Sequence, residues 1–204
     1  MRFTTYKSWI AGVSFMIGAA LSTNVIATEV AGVKLDDTIQ LANTELKLNG
    51  AGIRYKAIFK VYVAGLYIKE KKTTVHDILN VDGPRRVSIV MLRDLSSEDF
   101  SRGFMQGIQK NTDKTDKAKL TSQFLRFGEL FASVPELKKG DIMTTDWVPG
   151  VGTVVALNGK KLGEPYPDIL FYNTLLRIWL GDNPVDTGLK KAMLGEGETR
   201  GMFH

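Results

Sequence analysis

The 204-residue chain has no cysteine, which removes disulfides, thiolate metal sites and a cysteine nucleophile together. Histidine is almost as scarce. Only His76 and His204 are present, far apart in sequence, so no metal site built on imidazoles is expected, and a Ser-His-Asp arrangement would have to be assembled around His76. A surface histidine at the start of a short helix is the plainer reading of that residue. Nucleotide, metal and flavin signatures are missing too: Gly50-Ala-Gly52 is not followed by the Gly-Lys-Ser/Thr of a phosphate loop, and no cofactor is expected. The excess of 27 basic over 22 acidic residues, a net charge of +5, is small and scattered, which argues against nucleic acid as a partner. No stretch after residue 27 is apolar enough to span a bilayer.

One apolar run is present, from Trp9 to Leu21, preceded by Arg2 and Lys7 and followed by the small-residue segment Val25-Ile26-Ala27. That is the layout of a secretory signal peptide with cleavage after Ala27. The competing reading is an uncleaved anchor, for which the run is short of the ~20 residues a spanning helix needs. Residues 1–27 are therefore read as a signal peptide, the product as periplasmic with no stable membrane insertion, residues 28–195 as one domain with a sizeable core, and 196–204 as a flexible tail.

Short elements alternate through that domain. Val30–Leu35 and Thr44–Leu48 read as strands, and Gly52–Ile68, rich in β-branched and aromatic residues, as a strand pair or one long bent strand with a bulge or close approach at Gly65. A short helix over Thr74–Leu79 and a turn at Asp82-Gly83-Pro84 precede a strand over Arg86–Leu92. The period then changes. Ser96 with Asp99 resembles a capping box, and Phe100, Phe104 and Ile108 recur every four residues; Leu120, Phe124, Phe127 and Phe131 mark a second helix. Met143–Val148 and Thr153–Leu157 read as strands and Asn158-Gly159 as a tight hairpin turn. A third helix is expected from Pro167 to Gly181, with Tyr172, Leu175, Leu176 and Trp179 on one stripe, and a last short one from Pro184 to Leu194. This order predicts an α+β domain, a largely antiparallel sheet with helices on one face.

Three passages together resemble the chalcone isomerase-like family, in particular its exported bacterial branch: Gly50-Ala-Gly-Ile-Arg-Tyr-Lys56 running into Tyr62-Val-Ala-Gly-Leu-Tyr67, then Pro149-Gly-Val-Gly-Thr153, then Ile178-Trp-Leu-Gly-Asp182 with Pro184-Val-Asp186. The resemblance implies an open-faced β-sandwich, a curved antiparallel sheet covered by a layer of helices with a ligand cleft between. In the plant enzymes an arginine, a threonine, a tyrosine and an asparagine surround that cleft and promote ring closure of a chalcone. Aligned by motif, the arginine is Arg54, whereas the other three positions hold Tyr62, Phe100 and Gly107. Phe100 has no hydroxyl for a developing enolate and Gly107 no amide to orient a phenol, so the electrostatic stabilisation that reaction requires is missing. Arg54 retains a planar fork suited to a carboxylate. Non-catalytic plant relatives that bind fatty acids are similar in using an arginine with a tyrosine.

The leading expectation is thus a fatty acid or similar small apolar carboxylate as ligand, with Arg54 and Tyr62 on the head group and Phe100 and Phe104 beside the tail. If residues 54–62 stay extended, their even separation puts Arg54 and Tyr62 on one sheet face; a turn between them would break that parity. Against this stand plainer readings. Arg54 would be a solvated strand-end residue or the partner of Asp94 or Glu98, the phenylalanines would be core, and Asp141 and Asp146 have no spacing that argues for acid-base work. Two further functions stay open: an isomerase acting on a chalcone-like enone with Arg54 as electrophile, and a partner-binding module using exposed Trp147 and Trp179.

Overall fold

The computed structural model describes residues 27–134 and 136–196. Most of the segment read as a signal peptide, up to residue 26, and the expected tail from residue 197, with His204, lie outside the described residues.

In chain order the elements are β1 (Ala27–Val30), β2 (Val33–Asp36), β3 (Thr38–Leu41), β4 (Thr44–Lys56), β5 (Phe59–Ile68), α1 (Val75–Leu79), β6 (Arg85–Met91) and β7 (Leu95–Ser96). Then come α2 (Ser97–Asn111), α3 (Lys114–Leu130), a 3₁₀ turn over Phe131–Ser133, β8 (Glu136–Leu137), β9 (Ile142–Val148), β10 (Gly152–Leu157), β11 (Lys160–Lys161), α4 (Ile169–Leu180) and α5 (Thr187–Met193). Seven strands form one sheet in the order β11-β10-β9-β6-β5-β4-β3, and each neighbouring pair is antiparallel.

Several elements differ from the sequence reading, for local reasons. The expected strand over 30–35 is a hairpin, because Ala31 and Gly32 both take positive φ (51° and 80°) and turn the chain between β1 and β2. A second such pair, Ala42-Asn43 (49° and 58°), joins β3 to β4; β3 itself is not anticipated, since its turn lacks the Asn-Gly signature. Asn158-Gly159 (50° and 79°) makes the expected turn between β10 and β11. Pro167 lies just before α4 rather than in its first turn, since Asp168 is the N-cap and accepts from the Leu170 N–H. Ser96 caps α2 as expected, accepting from the Asp99 N–H, but the short Asp99 carboxylate receives the Ser96 hydroxyl and does not reach the Ser96 backbone.

The 52–68 stretch is a strand pair, and its first half continues unbroken from Thr44 as one long β4. The bulge falls at Asn49, where the β4–β5 register slips between Leu48 and Gly50, not at Gly65; Gly65 instead gives room to the side chains of Leu48 and Leu35. That extra residue inverts the alternation of β4. Leu46 and Leu48 face a small core with Leu35, Val63 and Tyr67, roofed by the β1–β2 hairpin. Beyond the bulge, Gly50 and Gly52 face the helices, where a Cβ on Gly50 would fall 1.9 Å from the Ala192 carbonyl oxygen of α5. Asn49 fixes the bulge: its amide donates to the carbonyls of Lys72 and Met193, and its oxygen accepts from the Lys72 N–H.

The main core lies between the helices and the other face of the sheet. Tyr62, Ala64, Leu66 and Ile68 of β5 with Val87, Ile89 and Met91 of β6 meet Phe100, Phe104 and Ile108 of α2 and Phe171, Leu175 and Trp179 of α4. Trp179 is 0% exposed and Trp147 partly buried against that core, so neither is the exposed tryptophan a partner-binding surface would use.

Candidate ligand cleft

Arg54 and Tyr62 are direct cross-strand partners on β4 and β5. The same-face expectation holds, though not by unbroken extension: the chain turns at Ala57, φ 53°, and the antiparallel register restores what the turn would have broken. The Asn49 bulge decides which face that is. Without it, the alternation that puts Leu48 under the β1–β2 hairpin would carry Arg54 there too.

The acid beside Arg54 is neither Asp94 nor Glu98. Asp94 accepts from the Lys139 backbone N–H, and Glu98 is taken by Arg102 one helical turn on. Arg54 Nη1 stands 3.8 Å from Asp186 Oδ2, and both side chains are mostly buried. Asp186 is already engaged, since Oδ1 accepts from the Leu189 N–H as the N-cap of α5 and Oδ2 accepts from the Tyr55 N–H at 3.0 Å. The carboxylate offsets the charge of Arg54 without closing a hydrogen bond to it, and among the described residues the guanidinium donates to no protein acceptor. A planar fork with free donors, half sunk in the wall of a cleft, is arranged for an oxyanion from outside.

Tyr62 is buried, and its hydroxyl accepts from Trp179 Nε1 at 3.0 Å. Burial pushes its pKa up to about 12, a rise that the Trp179 hydrogen bond and the Arg54 charge only partly offset. The phenol is therefore neutral at physiological pH, a donor and not a base, and no acceptor for its proton is present among the described residues.

Below Tyr62 the walls are aromatic. Phe100 meets Tyr62 edge-on at 6.5 Å between centroids, Phe104 lies 4.8 Å from Phe100, and Trp179 closes on Phe104 at 5.4 Å. Both phenylalanines are buried in the helix–sheet core and also line the cleft, so the core reading and the lining reading both apply. The cleft encloses about 740 Å³, within the range of small-molecule sites. Val61, Leu95, Ile178 and Val185 extend its apolar wall, and Lys56, Arg93, Arg102 and Lys110 stand round the mouth.

The positions expected to have lost the isomerase groups lie on the same cleft. A Cβ on Gly107 would come 2.8 Å from Cγ2 of Ile178, so the glycine is required where α2 crosses α4, and an asparagine there would force the helices apart.

Other candidates lie elsewhere. His76 is exposed on α1, with its ring 3.4 Å from the neighbouring Asp77 carboxylate. Asp146 sits directly opposite Arg86 on β9 and β6, and Arg86 donates to both its oxygens at 2.6 Å, a structural ion pair. Arg85 is buried beneath α1, donating to the carbonyls of Ile78 and Leu79 and to Asn173, with its guanidinium 5.2 Å from the Tyr172 ring centroid. Neither pairing was legible in the sequence, because each depends on strand register or on helix placement. Asp186 had one usable signal, its place in the Pro184-Val-Asp186 passage.

With this geometry in hand the comparisons are informative. Residues 27–195 match the family model described as chalcone isomerase-like. Among solved structures, the crystal structure of a fatty-acid binding protein of Arabidopsis thaliana matches with a TM-score of 0.63 and 17% identity, over 81% of this chain and 93% of that one, a likeness of fold. No curated protein matches the chain.

Proposed function

The chain belongs to the chalcone isomerase-like family, and we propose that within it this protein is a non-catalytic binder of a fatty acid or similar small apolar carboxylate. The observation that carries the reading is the Arg54–Tyr62 pair, two donors without protein acceptors at the head of an aromatic-lined cleft. A carboxylate there accepts from the guanidinium and from the neutral phenol while its chain lies along Phe100 and Phe104. The name of the Arabidopsis relative, a fatty-acid binding protein, supports the same ligand class. Ring closure of a chalcone fits less well, because the two further polar groups it calls on are replaced by Phe100 and by a glycine that helix packing requires.

Calorimetric titration of delipidated protein with a long-chain fatty acid and with its methyl ester tests this. A hydrogen bond to a charged group contributes about 1.5–3 kcal/mol, so Arg54→Ala is expected to weaken binding of the acid by roughly 10- to 100-fold and to leave the ester nearly unchanged. Equal losses for acid and ester would remove Arg54 from the head-group site.

The basic start, short apolar run and small residues before Thr28 support export to a periplasm. Mass spectrometry of the full chain expressed in a Gram-negative host should find a periplasmic product beginning at Thr28; an intact Met1 product in the cytoplasm would contradict export.

A further inference from the structure

The turn between β4 and β5 carries the most exposed apolar side chains of the described residues beside the cleft. Ile58 is 84% exposed and Phe59 55%, with Tyr55 also exposed, although the residues flanking them are paired strand, with a register shift between Arg54 and Tyr55. A hairpin tip needs no isoleucine and phenylalanine for its own stability, since turns favour small and polar residues. Basic residues surround the tip: Lys56 and Lys60 on the two strands, and Arg93, whose guanidinium lies 5.0 Å from the Phe59 ring centroid. None of these three cations makes an ion pair among the described residues, whereas the neighbouring acids are occupied, Asp99 and Glu98 by Arg102 and Asp186 beside Arg54. Lys56, Phe59 and Arg93 also line the mouth of the cleft.

We infer that this tip docks on the surface of an anionic phospholipid bilayer, with Ile58 and Phe59 entering the headgroup–acyl boundary and Lys56, Lys60 and Arg93 on the lipid phosphates. Charge complementarity decides between occupants. A second copy seated on the tip by two-fold symmetry would bring the same three cations against themselves, whereas an anionic lipid surface satisfies apolar tip and cationic rim at once. The docked orientation points the cleft mouth at the bilayer, so a single-chain amphiphile passes between membrane and cleft without crossing water. That purpose rests on the carboxylate-binding reading; the docking itself does not.

The test is co-sedimentation of purified residues 28–204 with vesicles of phosphatidylcholine alone and of phosphatidylcholine with an equal part of phosphatidylglycerol. Binding is expected to the anionic vesicles only, and to be released by high salt. Ile58→Asp with Lys60→Glu, neither residue lining the cleft, is expected to lower it by about tenfold or more. Leu125→Asp, which alters an exposed leucine on α3, is the control and should bind as the parent does. Parent-like binding by the double variant, equal binding to both vesicle types, or no binding at low salt overturns the docking. A dimer in light scattering that the double variant abolishes overturns it in favour of a second copy. Fatty-acid titration of the parent protein keeps the two readings apart, because a parent that binds fatty acid but no anionic vesicles sinks only the docking, and one that binds anionic vesicles but no fatty acid sinks only the ligand.

Discussion

Tyr62 shows how one side chain's environment limits its chemistry. Its pKa, raised to about 12 from an ordinary 10.0, means that the folded protein holds a proton that the unfolded chain gives up earlier. The resulting stability is present in full below pH 10 and is lost as pH rises from 10 through 12. Burial shifts Tyr67 in the same way, to about 12, and Tyr172 in the same direction. Ultraviolet titration of residues 28–204 should therefore show part of the tyrosine absorbance rising only as the fold is lost, with the onset of unfolding moved to higher pH in Tyr62→Phe; a smooth titration of all five tyrosines near pH 10 in folded protein would contradict this account. At this scale the sequence was legible where motif and chemistry coincide. Arg54 and Tyr62 could be named from the family resemblance together with their donors. The partner of Arg54 could not, because Asp186, the N-cap of α5, reaches it across 132 positions of chain, and nearer acids such as Asp94 and Glu98 looked equally available. Trp179 was misplaced because the apolar stripe that marks its helix does not say how deep that helix lies.

At the level of elements, periodicity decided success. The helices carrying Phe100, Phe104 and Ile108, and Tyr172, Leu175 and Trp179, stand where their spacing predicts. Turns built on Ala31-Gly32 and Ala42-Asn43 carry weak local signals, so one strand was read where two exist and β3 was missed. The bulge at Asn49 has the largest consequence for the site and leaves no mark in composition; only the buried carbonyls it serves explain it. The α2–α4 crossing gives an element-scale prediction. Gly107→Asn puts a Cβ 2.8 Å from Ile178 and is expected to lower unfolding free energy by about 1–3 kcal/mol in urea, with some recovery when Ile178→Ala is added. Full stability in the single variant would mean that the helices are not in close contact there.

For the whole molecule, the arrangement is a curved antiparallel sheet whose two faces are covered differently. The β1–β2 hairpin closes a small core on one side, and the helices enclose a larger one on the other, with the cleft opening beside the β4–β5 tip. This α+β architecture follows from the order of elements, and the open-faced sandwich with its cleft from the family resemblance, but the lining of the cleft follows from neither: α2, the end of α4 and residues 183–185 leave a cavity over the mostly buried Arg54 and Tyr62 at one end of an otherwise filled layer. Charge follows the same asymmetry, with Arg54, Lys56, Arg93 and Lys110 gathered at one mouth although the net excess over the chain is only +5. The account therefore stands on the cleft holding an anionic amphiphile in the native protein. The direct measurement is to purify residues 28–204 from a periplasm without detergent, denature the protein, and identify by mass spectrometry the organic molecules released. A fatty acid or related carboxylate near one equivalent, lost in Arg54→Ala, is the result expected; protein that carries no amphiphile, or the same load in parent and variant, would contradict the assignment.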